Sequence, residues 1–72
     1  MLVEEKVSLI EECMDLDAGT LNINSQIDIF EEWDSLTVLS IIAAVAEKNH
    51  QIIPGEEFKK VKTVSDIVKL IK

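Results

Sequence analysis

Residues 35–48, SLTVLSIIAAVAEK, are apolar or small on nearly every face. Alanine and leucine favour helix there, valine and isoleucine are neutral to weak, and a helix that is apolar all round has to sit at the middle of its fold. The remainder of the chain is too short to enclose it. Seventy-two residues make one small domain, and a chain of that size buries only about 60% of the surface that its unfolded form exposes. Some apolar surface of this helix is therefore expected to stay open for a partner. With 47% hydrophobic residues, two glycines and one proline, the composition fits a folded chain rather than a disordered one.

Amphipathic stretches flank the central run. Val3, Val7, Ile10 and Met14 recur at spacings of four, three and four, with Cys13 beside them and Glu4, Glu5, Glu11 and Glu12 mostly on other faces. That period predicts a first helix. It should end near Asp15 to Gly19, where turn formers and a glycine suited to a helix end gather. Towards the end of the chain, Thr63 followed three residues later by Asp66 reads as a capping box, and Val64, Ile67, Val68 and Ile71 form one apolar stripe. TVSDIVKLIK is accordingly predicted to be the last helix. Pro54 and Gly55 punctuate the chain before EEFKKV, which suits a short helix or turn. The expected architecture is all-α, three main helices plus a short one packed as a small four-helix bundle, in a single domain over 1–72.

Between the first two helices, GTLNINSQIDIFEEW scatters Leu21, Ile23, Ile27, Ile29 and Phe30 among polar residues. A long loop is unusual in so small a domain, so its apolar residues are expected to pin it to the core, with NSQIDIF forming a turn of helix. The alternation of Leu21 with Ile23, and of Ile27 with Ile29, also admits short strands.

The net charge is −7 and there is no arginine, which argues against nucleic acid because that binding rests on Lys and Arg neutralising phosphates. Residues 1–47 hold eleven acids against Lys6 alone, net −10, whereas residues 48–72 carry net +3. Such a field steers partners, and a basic partner protein is expected, although the same acids also serve simply to keep a chain soluble. No stretch approaches the roughly 18 apolar residues of a membrane span. MLVEEKVSLIEEC has neither a basic region nor a continuous apolar segment, as a secretory signal would, and one cysteine cannot form an internal disulfide. A cytoplasmic protein without membrane contact is the expectation.

Three polar features invite a metal or redox reading and do not sustain it. Cys13 lies on the apolar face of the first helix and reads as a small core hydrophobe. His50 is the only histidine; at a helix end it suits a cap or a solvent-facing position, and no second histidine completes a metal pair. Asp15 and Asp17 are spaced as in a calcium loop, but the glycine falls at loop position five and Gln26 stands at position twelve, so the coordination scheme fails.

EEWDSL, residues 31–36, opens the central helix. With Asp34 as N-cap, its carboxylate can accept from the free amides of the first turn. Trp33 and Val38 then take the N′ and N4 positions of a hydrophobic staple, and Ser35 becomes the first helical residue. A phosphate carried on that hydroxyl would lie at the positive end of the helix dipole. Taken alone, Asp34 and Ser35 are more simply read as an ordinary helix cap.

Over essentially its whole length, however, the chain resembles the acyl carrier protein family. It is short and acidic, has a long loop after the first helix, opens a second apolar helix with DSL, begins a short third with IIPGEEF and forms a fourth from TVSDIVKLI. The resemblance implies that Ser35, with Asp34 and Leu36 as its local recognition context, is the attachment point of a 4′-phosphopantetheine arm transferred from coenzyme A by a phosphopantetheinyl transferase. It also implies that the arm carries acyl groups as thioesters while the chain itself catalyses nothing. Partner enzymes of fatty-acid, polyketide or related biosynthesis, with basic docking surfaces, would then meet a face including Glu31, Glu32, Asp34, Leu36, Leu39, Ala43 and Glu47. A weak, electrostatically guided interface suits that use, and a monomer is expected because the serine face must be offered to many enzymes in turn.

The chain departs from that family's pattern where acids often follow the serine. Thr37 and Ser40 stand there instead, which implies a more apolar docking surface and casts doubt on service to the general fatty-acid synthase. Asn49 occupies a position that is often aromatic, so Phe58 is expected to fill the core. A peptidyl or aminoacyl carrier is the near alternative, although EEW replaces the glycines common before the serine in such carriers. A helical interaction module without a prosthetic group, binding a partner helix on its exposed apolar face, is the alternative from a different class.

Overall fold

The computed structural model describes all residues, Met1–Lys72, and contains α1 (Val3–Cys13), α2 (Ser35–Asn49), a 3₁₀ helix (Gly55–Lys60) and α3 (Val64–Leu70), with no strand. The helices pack around one core in which Leu9, Ile10, Met14, Ile27, Ile41, Val45, Val64 and Ile67 are almost wholly removed from solvent. Every element contributes, including the segment between α1 and α2 through Ile27.

Although the sequence of α2 is apolar on most faces, only one stripe of the helix is covered. Thr37, Ile41 and Val45 are buried, while Leu36 and Leu39 are 72% and 61% exposed, and Ala43 and Glu47 share their open side. The bundle thus leaves apolar helix surface free, as its size requires. At its end His50 adopts the left-handed conformation, φ 52°, and its amide donates to the Ala46 carbonyl, closing the helix as a C-cap.

In α1 most of the expected face is inward, with Ile10 and Met14 buried and Val7 and Cys13 packed against the core, but its edges differ. Leu9 and Ile10 are buried together with Glu11, whereas Val3 is 49% exposed. Glu11 is not on a solvent face: it is only 4% exposed, and its Oε2 accepts the Leu21 amide at 2.9 Å. The chain crosses over α1 there, and the carboxylate supplies the acceptor that an otherwise unpaired loop amide needs. The helix ends at Cys13 with Met14 as its C-cap, and Asp15 follows in the left-handed region with a φ of 57°.

Residues 14–34 form turns, and their apolar side chains divide. Leu21 and Ile27 are buried and Phe30 packs half-buried against the core, but Ile23 and Ile29 are 46% and 71% exposed, so three of the five pin the segment. NSQIDIF is not a helical turn of the α type; the Phe30 amide donates to the Ile27 carbonyl at 3.2 Å, a three-residue turn. Of the strand pattern, one antiparallel bridge exists, between Gln26 and Thr63.

That bridge is part of a seam with α3. The Ile27 amide donates to Lys62 O at 2.8 Å, and the Val64 and Ser65 amides donate to Ser25 O and Ile23 O, each at 3.0 Å. Free amides at the start of α3 are thereby satisfied by the loop. The capping box is formed as the sequence indicates: Thr63 Oγ1 accepts the Asp66 amide at 3.3 Å, and Asp66 Oδ2 accepts the Thr63 and Lys62 amides at 3.1 and 3.0 Å. At the other end of α3, Gln51 Nε2 donates to Leu70 O at 2.7 Å and Lys6 Nζ donates to Ile71 O at 2.6 Å. Seven residues are too few to hold a helix by themselves, so α3 is held by its surroundings.

Candidate functional site

The start of α2 is set by a relay of local bonds that begins at the α3 seam. Ile27 is fixed to Lys62, the Phe30 amide turns back on Ile27, and the Trp33 amide turns back on the Phe30 carbonyl at 3.1 Å. Thr37 Oγ1 then donates to Glu32 O at 2.6 Å, tying the incoming chain to the first turn of the helix. Asp34 completes the arrangement as N-cap, with its Oδ1 accepting the Thr37 amide at 2.9 Å. Backbone donation, foremost from Thr37, holds the Asp34 carboxyl below its ordinary range, because the charged form is the one that accepts.

Ser35 is the first residue of α2 and is exposed. The cap is Asp34 rather than the serine, so the hydroxyl is left for another use. Trp33 and Val38 both pack half-buried against the core at the predicted staple positions, and the Trp33 ring meets Phe58 at 6.4 Å between centroids, tilted by 45°. Such an arrangement adds to the area that the two aromatics bury. Phe58 is buried, and Asn49 has a different use: its Nδ2 donates to Gln51 Oε1 at 3.0 Å and to Lys72 O at 3.1 Å.

A groove of about 330 Å³ runs beside Ser35 between α2 and the 3₁₀ helix. Val38, Leu39, Ile42 and Phe58 form its apolar wall, Gly55 stands beside Ile42, and Lys59 is also in the lining. A concavity of similar size, about 360 Å³, lies against α1 and is lined by Glu4, Glu5, Ser8, Glu12 and Lys48 with Met1 and Leu9; its lining is dominated by charge, unlike the mostly apolar lining of a small-molecule site.

The residues singled out by sequence are all on the accessible side. Glu31, Glu32, Asp34, Ser35, Leu36, Leu39, Ala43 and Glu47 are each exposed, and the last four of the helical positions form one stripe running from the serine along α2. Thr37 is the exception among the residues thought to shape that surface. It is 7% exposed and bonded to the backbone of Glu32, so it supports the site from behind and leaves Ser40 alone to replace charge on the surface. Its position three residues after the N-cap marks it as a residue of the first turn, but the hydroxyl's partner five residues upstream lies in a turn that sequence periodicity does not report.

Cys13 is half-buried at the end of α1 beside Glu12 and Lys48; burial, then the Glu12 charge, push its thiol above the ordinary range, with Lys48 opposing. Its thiolate is thereby disfavoured at neutral pH. No three of the His, Cys, Asp and Glu side chains converge on a point that could hold a metal ion, and no helix is long and apolar enough to cross a membrane. Comparison with family models, curated proteins and solved structures finds no match to this chain.

Proposed function

We propose that the chain is an acyl carrier protein, which receives a 4′-phosphopantetheine arm on Ser35 and presents acyl groups to successive partner enzymes. The observation that carries this reading is the pairing at the start of α2: an exposed serine at the first helical position, capped by its neighbour Asp34. The residues suit the group, because the hydroxyl is accessible, is not the capping atom, and opens onto a groove with an apolar wall. A small all-helical fold of four helices is compatible with the same reading.

Loading forms a bond from Ser35 Oγ to the phosphorus that bears pantetheine in coenzyme A and breaks that phosphorus–oxygen link to the nucleotide. Adenosine 3′,5′-bisphosphate leaves, and the transferase takes the serine proton. Once attached, the arm supplies a terminal thiol that holds cargo as a thioester. The chain's own contribution is to hold Ser35 outside the core and to offer Leu36, Leu39 and Ala43, bordered by Glu31, Glu32 and Glu47, as a docking stripe. Apolar contact at its centre with charge at its edge gives fast, reversible association.

The test is an intact mass after incubation with coenzyme A, magnesium and a broad-specificity phosphopantetheinyl transferase. The native chain should gain one phosphopantetheine group, and Ser35→Ala, folded to the same degree, should gain none. A folded native chain that stays unmodified with several transferases would instead favour an interaction module that uses Leu36 and Leu39 without a prosthetic group.

A further inference from the structure

The groove beside Ser35 has one ionisable side chain among its lining residues, and it is a cation, Lys59. Its surroundings are of the opposite sign. Residues 28–47 contain Asp28, Glu31, Glu32, Asp34 and Glu47 and not one lysine. A phosphodiester on Ser35 would place a further negative charge in this stretch. One of the amides that usually favour an anion at a helix start is already engaged, since the Asp34 carboxylate accepts from Thr37 at 2.9 Å. A second anion there shares the positive helix end with that carboxylate and is repelled by it, so a cation from another element would stabilise it.

The fold brings Lys59 to that place. It stands on the 3₁₀ helix, far from Ser35 in sequence, yet lines the same groove, whereas its neighbours Glu56 and Glu57 do not. The single ion pair of the molecule joins Lys48 to Glu12 at 3.8 Å; Lys59 shares a second concavity with Glu56 and Glu57 but forms no ion pair with either. We infer that Lys59 is the counter-ion of the phosphodiester at Ser35 and a positioning residue for the arm, directing its first atoms across the groove towards the 3₁₀ helix. The inference rests on the carrier reading and adds to it the direction in which the arm leaves the helix. An ammonium suits the task because it meets a phosphate as a point charge, without a fixed geometry.

The experiment compares the unloaded and loaded native chain, with loading verified by intact mass, through the side-chain ε-methylene resonances of its lysines. The Lys59 resonance should move on loading and those of Lys62, Lys69 and Lys72 should stay. The movement should shrink in 1 M salt, where charges are screened within about 3 Å. A Lys59→Gln chain, whose unloaded form should melt at the native temperature because the side chain is exposed, should show an altered phosphorus resonance once loaded. An unmoved Lys59 resonance in the loaded native chain, or a phosphorus resonance indifferent to Lys59→Gln, would overturn the assignment while leaving the carrier reading intact. Absence of any mass gain is a separate outcome that removes the carrier reading, and this assignment with it.

Discussion

Glu11 shows how one residue of a surface type becomes part of a core. It sits on a helix face that a simple period would give to solvent, and the fold closes the Leu21 amide over it at 2.9 Å. Removing the acceptor leaves a buried donor without a partner, which costs about 1–3 kcal/mol. Glu11→Ala should therefore lower the free energy of unfolding by that amount in urea titrations, and Glu11→Gln, which keeps one carbonyl oxygen, by distinctly less. Equal losses for the two variants would mean that the side chain matters only through its packing. Nothing in the sequence near residue 11 announces this bond, since its partner lies ten residues on, in a segment whose path depends on α3. The caps were legible for the opposite reason: Asp34 with Thr37, and Thr63 with Asp66, bond within three residues, so that their chemistry is complete in the local sequence.

At the scale of elements, helix starts are where charge is coupled to folding. Asp34 is held below its ordinary range chiefly by the Thr37 amide, and Asp66 by the Lys62 and Thr63 amides. A carboxyl whose folded pKa is depressed binds fewer protons folded than unfolded. Its contribution is thus complete above the unfolded value, about 3.9, and disappears as the pH falls through the lower folded value. Asn caps a helix about as well as Asp but does not titrate. In chemical denaturation at a series of pH values, the native chain should lose stability more steeply than an Asp34→Asn, Asp66→Asn chain as the pH falls below about 4, and parallel curves would exclude the caps as the source. Helix type and order were readable from apolar period and punctuation, as with Pro54 and Gly55 before the 3₁₀ helix. The face of α1 was legible at Ile10 and Met14 but not at its edges, where Leu9 is buried and Val3 is not, according to where α2 and the loop lie, which a period alone does not specify.

Across the whole molecule, stability and accessibility are divided within single stretches of chain. Ile27 and Ile29 are two residues apart, yet the first is fully buried and the second is 71% exposed. Ile27→Ala opens a cavity at the junction of the loop with α3 and should cost about 2–5 kcal/mol, whereas Ile29→Ala should stay within about 0.5 kcal/mol of the native chain. Thermal and urea unfolding of the two variants decide this directly, and similar losses would place both side chains in the core. The candidate site follows the same division: Ser35, Leu36 and Leu39 face outward on a helix whose Ile41 and Val45 anchor it. The seam between residues 23–27 and 62–65 also has a kinetic meaning. Its bonds join parts of the chain separated by the whole of α2, so closing it carries the entropy of a long loop, and such non-local pairings slow folding. Neither the turns that lead to Ser35 nor α3 can be completed before the other. The approach to the serine is therefore finished only when α3 docks, and a nascent chain cannot display an ordered site until residues 62–65 have been made.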